Sequence, residues 1–305
     1  RTDHADAQAR RMFLREARIA SRLHHHGIVR LFDYGTVGSG TPFLVMELVD
    51  GVDAARALGR LGPLPAGLAL HVIGEAARAL DHAHRLEDEG EPLGIVHRDV
   101  SPSNLLLAWS GDVKLMDFGI ATWTRREETT QRGVVKGKVS YMAPEQFTGQ
   151  AIGPASDVYA LGATLHALLR GAPPLQGAEG LVRRLMGAPL ELDAELAPDV
   201  RELLRDCLKV DPAKRVAAEA LARRAFALAA QRATAPPSKG LAEWLAPLRP
   251  RPAGDDDGRM LTATSDAKRF ALEDAPPAPP RAPWARGPRS AAAERERAIG
   301  PARSG

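Results

Sequence analysis

The stretch from Ile95 to Gly119 constrains this chain more than any other. It reads as a short strand at Ile95-Val96, then a loop holding His97-Arg98-Asp99 and Asn104. An apolar run, Leu105-Leu106-Leu107, leads into a turn at Ser110-Gly111-Asp112. A second apolar strand, Val113 to Met116, then delivers Asp117-Phe118-Gly119. Two apolar runs joined by a Gly-Asp turn predict a β-hairpin. Such a hairpin carries Asp99, Asn104 and Asp117 to one end. One carboxylate there can accept a hydroxyl proton, while an amide oxygen and a second carboxylate can hold a hard cation such as Mg2+. The competing reading is a chance acidic hairpin in some other α/β enzyme.

Around this hairpin the chain alternates recognisable periods. Asp6 to Leu23 predicts a helix with Phe13, Leu14, Ala17, Ile19 and Ala20 on one face, ended by Gly27. The run His24-His25-His26 invites a metal reading, but adjacent residues at a helix end point in different directions, so a polar loop is expected. Ile28 to Thr36 and Pro42 to Val49 are two strands around a turn at Val37-Gly38-Ser39-Gly40. A short helix from Asp53 to Leu61 stops at Gly62-Pro63. A long one follows over Ala66 to Leu86, with Leu68, Val72, Ala76, Ala79, Leu80 and Ala83 in helical register. The acidic Glu87 to Glu91 segment reads as a solvated loop. Ala155 to Leu169 reads as a buried apolar helix, and Leu181 to Met186, Asp199 to Leu208 and Ala217 to Ala229 as further helices.

Composition narrows the class. A formal net charge of +3 over 305 residues gives no reason to expect nucleic acid or an anionic membrane as partner. A lone cysteine, Cys207, excludes an intrachain disulfide framework and fits a reducing cytoplasm, where it is a small buried side chain rather than a reactive thiol. No run approaches about 18 consecutive apolar residues, so no membrane span is expected. From about residue 231 the character changes. The last 75 residues hold 12 of the 24 prolines and carry a net charge of +4, against −1 for the rest. Such a tail buries too little apolar surface to offset its ordering entropy and is expected to be disordered. Leu241 to Leu245 reads as one docking turn within it, and Pro276 to Pro283 as a stiff linker or a ligand for an SH3-like groove.

His97-Arg98-Asp99 with Asn104, thirteen residues ahead of Asp117-Phe118-Gly119, resembles the catalytic loop and metal-binding motif of eukaryotic-like (Hanks-type) bacterial serine/threonine protein kinases. Met142-Ala143-Pro144-Glu145 and the run Ser156 to Gly162 then follow in family order, and Asp211 to Arg215 resembles a late motif of the same family. The resemblance covers residues 6 to 230 and implies an α+β, two-lobed kinase fold. Its N-lobe would be incomplete (helix C and the fourth and fifth strands of the family, residues 1–49), its C-lobe mainly helical (50–230), and its tail disordered (231–305). It implies transfer of the ATP γ-phosphoryl to a protein serine or threonine hydroxyl, since Val139-Ser140-Tyr141-Met142 resembles the substrate loop of that class. Asp99 would be the catalytic base, with Asn104 and Asp117 as Mg2+ ligands. Met46 would be the gatekeeper, the backbone of Glu47 and Val49 would meet adenine, and Leu106 would floor its pocket. Glu16 would pair with a lysine on the family's third strand. Asp157 would brace the His97-Arg98 turn, Arg215 would pair with Glu145, and Phe118 and Gly119 would complete the metal motif. Arg98, with Arg10 or Arg11, would receive a phosphate on Thr129 or Thr130.

The sequence also departs from the family. It has no glycine before Gly27 and no lysine before Lys114, so neither the glycine-rich phosphate loop nor the paired lysine lies in it. The reading is a fragment of an active kinase, starting at Arg1 and inactive alone, with a non-catalytic scaffold as the alternative. Two residues after Asp99, where the family usually has lysine, stands Ser101. After Gly137, where it usually has threonine, stands Lys138. Either an ammonium and a hydroxyl have exchanged places, with Lys138 serving the phosphate and Ser101 bonding Asp99, or the two substitutions are unrelated.

Overall fold

The computed structural model describes residues 2–38, 41–118, 138–175, 177–186, 188 and 190–250. Helix α1 (Thr2–Ala20) leads through the histidine loop to strands β1 (Leu31–Val37) and β2 (Thr41–Met46), an antiparallel pair running from Leu31 opposite Met46 to Val37 opposite Thr41. Phe13 and Ala17 are buried on α1. Next to the ribbon, residues 27–29 join the rest of the fold through the buried Ile28 side chain and through two backbone hydrogen bonds. Val29 N–H donates to Leu115 C=O at 2.9 Å, and Leu115 N–H to Gly27 C=O at 2.8 Å.

The predicted hairpin is present as β6 (Leu105–Ala108) and β7 (Val113–Leu115), with Leu106 opposite Lys114. A third strand, β3 (Gly51–Asp53), flanks β6 to give the order β3-β6-β7. Three residues carry too little alternation to announce a strand. The signal is instead Gly51, where a Cβ would sit 2.2 Å from the Leu107 carbonyl oxygen. Asp53 then caps helix α2 (Ala54–Leu61) by accepting from Arg56 N–H at 2.8 Å, which satisfies one of the helix's free amide donors.

Helix α3 (Ala66–His84) lies in the centre of the core, with Leu70, Ile73 and Leu80 fully buried. Each such side chain contributes about 1.5–3 kcal/mol. Helix α5 (Pro154–Arg170) is apolar nearly all round, as a helix enclosed by protein should be, and Tyr159, Leu161, Leu165 and Leu168 are its large buried residues. The short α4 (Glu145–Thr148) precedes it. Helices α6 (Gly177–Leu185), α7 (Pro198–Cys207) and α8 (Ala218–Ala230) complete the helical region.

Three expectations need correction. Ile95-Val96 forms no strand: its backbone has no ladder partner, and both side chains are buried in a loop. Glu87 to Glu91 is not a plain loop but a small exposed hairpin of β4 (Glu87–Asp88) and β5 (Glu91–Pro92). The tail does not begin at residue 231, because helix α9 (Pro237–Leu245) belongs to the core, with Leu241 and Leu245 fully buried. Its backbone lies so close to the β6–β7 turn that a Cβ on Gly111, at φ +90°, would meet the Ser238 carbonyl. Proline-rich composition around it hid two leucines spaced one helical turn apart. The expected binding segment Pro276 to Pro283 lies outside the described residues. No described helix is long and apolar enough to cross a membrane.

Candidate active site

The loop between Leu93 and Leu105 is held by side chains far away in sequence. Asp157, in the first turn of α5, accepts from the backbone N–H of His97 and of Arg98, each at 2.8 Å, and from His84 Nε2 at 2.8 Å. Arg98 has φ +67°, a conformation that costs a non-glycine residue about 1–3 kcal/mol. Its peptide is gripped on both sides: the N–H by Asp157, and the C=O by Gln146 Nε2 at 3.1 Å. Gln146 also accepts from Ala143 N–H at 2.8 Å, so one amide ties the segment after Lys138 to the loop. Nothing in the sequence pattern marked Gln146.

His97 is fully buried. Its Nε2 donates to Met116 C=O at 2.8 Å, its Nδ1 accepts from Asp99 N–H at 3.3 Å, and its ring lies 4.7 Å from that of Phe118. This one ring therefore joins the Asp99 loop to the segment that carries Asp117. Asp117 has φ +64°, a second strained residue at the same place. Asn104 ends a turn that starts after Ser101, and its Nδ2 donates to the Asp99 C=O at 2.6 Å and to Asp99 Oδ2 at 3.1 Å.

Lys138 reaches the same carboxylate. Its Nζ lies 2.7 Å from Asp99 Oδ2, with the Asp99 side chain only 10% exposed. Ser101 is not the partner of Asp99. Its hydroxyl lies 2.9 Å from Ser103 Oγ and it is buried, while Asn104 and Lys138 hold the Asp99 carboxylate.

On the other side of β6, Glu47 N–H donates to Arg30 C=O at 2.8 Å, which leaves the Glu47 carbonyl as the group available to a ligand. The Glu47 carboxylate meets Lys114 Nζ at 2.8 Å. Burial alone would raise the Glu47 carboxyl, but the Lys114 and Arg30 hydrogen bonds outweigh it and hold it below its usual range. Lys114 also donates to His26 C=O at 2.9 Å, a role the alternation of β7 did not reveal. Met46 is partly exposed at the end of β2, Val49 follows in the linking segment, and Leu106 is half-buried on β6.

Glu16 lies beside Arg15 and Ile19 on α1 in the wall of a cavity of about 250 Å³, facing Ile95, Arg98 and Phe118. Arg15, rather than the exposed Arg10 or Arg11, shares this cavity with Arg98. Farther away, Arg215 is bidentate to Glu145 at 2.6 and 2.8 Å, and Ser156 Oγ adds a third bond to Glu145 at 2.7 Å. Burial pushes the Glu145 carboxyl up, and these bonds more than reverse it. Gly119, Thr129 and Thr130 lie outside the described residues.

The family model described as protein kinase domain matches residues 1–227. The chain belongs to the protein kinase domain family. It is 40% identical over 206 residues to the tyrosine-protein kinase MasK of Myxococcus xanthus, covering 65% of this chain and 31% of that protein. It is 40% identical over 210 residues to the serine/threonine-protein kinase PknA of Mycobacterium tuberculosis, covering 67% and 47%. A serine/threonine-protein kinase PknH of Mycobacterium bovis is 40% identical over 197 residues, covering 64% and 32%. The chain thus spans less than half the length of these curated relatives. Protein kinases typically use ATP together with Mg2+. The donor set fits such an ion. Asn104 spends its Nδ2 on Asp99 and so keeps its amide oxygen for a cation, and Mg2+ needs only one or two protein carboxylates when phosphates supply the rest.

Proposed function

We propose that this chain carries the catalytic residues of a serine/threonine protein kinase that transfers the γ-phosphoryl of ATP to a protein hydroxyl. The observation that supports this most is the Asp99 carboxylate, oriented by Asn104 at 3.1 Å and by Lys138 at 2.7 Å. Asp99 orients the acceptor hydroxyl and takes its proton. Lys138, an ammonium on the segment opposite the catalytic loop, swings from Asp99 to the transferring phosphate and steadies its charge, the task Ser101 cannot perform. Asn104 and Asp117 would hold Mg2+, which neutralises phosphate charge when bound. The carbonyl of Glu47 and the backbone of Val49 receive the adenine beside Met46, over Leu106. Arg98 and Arg15 form the receiving pocket for a phosphate on Thr129 or Thr130. The domain division is residues 1–49 as the N-lobe part and 50–250 as the C-lobe, working in a reducing cytoplasm where the buried Cys207 stays a thiol.

The test supplies what the 305 residues do not contain. With a glycine-rich loop and a lysine-bearing strand of the protein kinase family grafted before residue 2, the chain should transfer radiolabelled phosphate from MgATP to serine or threonine. Asp99→Asn should abolish transfer, and Lys138→Thr should lower its rate by about 10²–10³. The double variant Ser101→Lys with Lys138→Thr should recover more than the single effects add up to. Phosphotyrosine as the main product would overturn the serine/threonine assignment, an outcome given weight by the name of the Myxococcus relative and by Ser101 itself. An inactive graft that still folds would favour the scaffold reading.

A further inference from the structure

A second cavity, of about 420 Å³ and separate from the Asp99 site, opens where α6 and α7 end. Arg184, Arg205, Lys209 and Lys214 line it together with Val210 and Asp211. Two of these cations have carboxylate partners: Lys209 Nζ lies 2.8 Å from Asp206 Oδ1, and Lys214 Nζ 3.5 Å from Asp211 Oδ2. Arg184 and Arg205 have none within ion-pair distance among the described residues. Arg205 is exposed, whereas Arg184 is only 7% exposed. The Arg184 guanidinium donates to the carbonyls of Ala188, at 3.2 Å, and of Leu208. Its Nε is buried without a hydrogen-bond partner. Carbonyls satisfy donors but do not cancel charge. A buried guanidinium with no counter-ion is an expensive arrangement that the charge of an anion in the adjoining cavity would relieve.

The charge left over decides the ligand. Two uncompensated guanidinium groups match a phosphomonoester, which carries about −1.5 to −2 at neutral pH, better than a single carboxylate. Their planar forks suit phosphate oxygens. The cavity is much larger than one phosphate, and Val210, 41% exposed, gives it an apolar rim that a peptide stem can cover. We propose that this cavity is a docking site for a phosphorylated serine or threonine on a protein segment. A chain of the kinase family works among proteins that carry this group. Binding here needs no phosphotransfer at Asp99, so the two readings fail separately.

The test uses the full chain and the arginine Nε–H signals in its NMR spectrum. The probe is the peptide acetyl-Ala-Ala-phosphoThr-Val-Ala-amide, with its unphosphorylated and glutamate counterparts and inorganic phosphate as the other arms. The phosphopeptide should shift the Arg184 Nε–H and the Val210 methyl signals saturably, and the unphosphorylated peptide should not. Inorganic phosphate should move the arginine signals alone, at least about tenfold more weakly. Arg205→Ala, a change at an exposed position that leaves the fold intact, should weaken phosphopeptide binding by about tenfold or more. Four results would each overturn the proposal: an unmoved Arg184 signal, equal binding of the phosphorylated and glutamate peptides, free phosphate binding as tightly as the phosphopeptide, or unchanged affinity in Arg205→Ala.

Discussion

The β1–β2 ribbon and helix α3 both follow apolar patterns, yet they end in opposite environments. In the ribbon, Phe32 is 59% exposed and Val37 55%, whereas Leu70, Ile73 and Leu80 of α3 are fully buried. Helix α3 is enclosed by α5, α8 and α9. The ribbon packs against α1, and among the described residues each of its strands has one neighbour. A two-stranded sheet is marginal by itself. The stability of this chain therefore resides in the helical region, and the ribbon contributes shape and backbone groups near Glu47 more than it contributes energy.

The strongest way to break that comparison is Arg215→Ala. The variant leaves Glu145 buried without its bidentate partner and should cost about 3–5 kcal/mol in urea unfolding. A loss under about 1 kcal/mol would mean that the helical region is not where the energy sits. Next, Leu241→Ala on α9 should cost about 2–5 kcal/mol, while Phe32→Ala on the ribbon should stay within about 0.5 kcal/mol. The reverse order would sink the comparison and the place of α9 in the core together.

A further effect, confined to low pH, lies at the junction of the two regions. The His25 ring stacks 5.1 Å from His82 of α3 and 4.3 Å from His26, with Glu75 and Arg78 alongside. Burial pushes His25 down from 6.5 to about 4; the charges of His26, His82 and Arg78 push the same way, and Glu75 opposes them. An unfolded chain takes up this proton near 6.5 and the folded one only near 4. The stability tied to His25 is thus complete above pH 6.5 and falls as the pH drops towards 4. His25→Gln should flatten that part of a stability-against-pH curve. An unchanged curve would remove His25 as its source.

Local pattern made much of the fold legible. The apolar runs Leu105 to Leu107 and Val113 to Met116 around a Gly-Asp turn announced the hairpin, and the spacing of Val72, Ala76, Ala79 and Ala83 announced α3 to within two residues of its end. Short elements escaped it, since β3 has three residues and α9 only nine, under prolines that argued for disorder. The candidate site divides in the same way. Asp99, Asn104 and Asp117 stand close together in the chain and could be read as a group. Gln146 could not, because an amide that holds the Arg98 carbonyl 48 residues away leaves no periodic trace.

The sequence by itself determined the elements and the order of the acid and amide residues, because hydrophobic period and turn chemistry act over a few neighbouring residues. Only the tertiary structure decided between Ser101 and Lys138 as the partner of Asp99. By position the sequence offered Ser101 for that bond and Lys138 for the transferring phosphate. Folding places the lysine ammonium 2.7 Å from the carboxylate and turns the serine towards Ser103. Two opposite charges in a half-enclosed site attract more strongly than a hydroxyl can compete with, and the backbone path that brings them together is set by Asp157, Gln146 and the Glu145–Arg215 pair rather than by any neighbour in the chain.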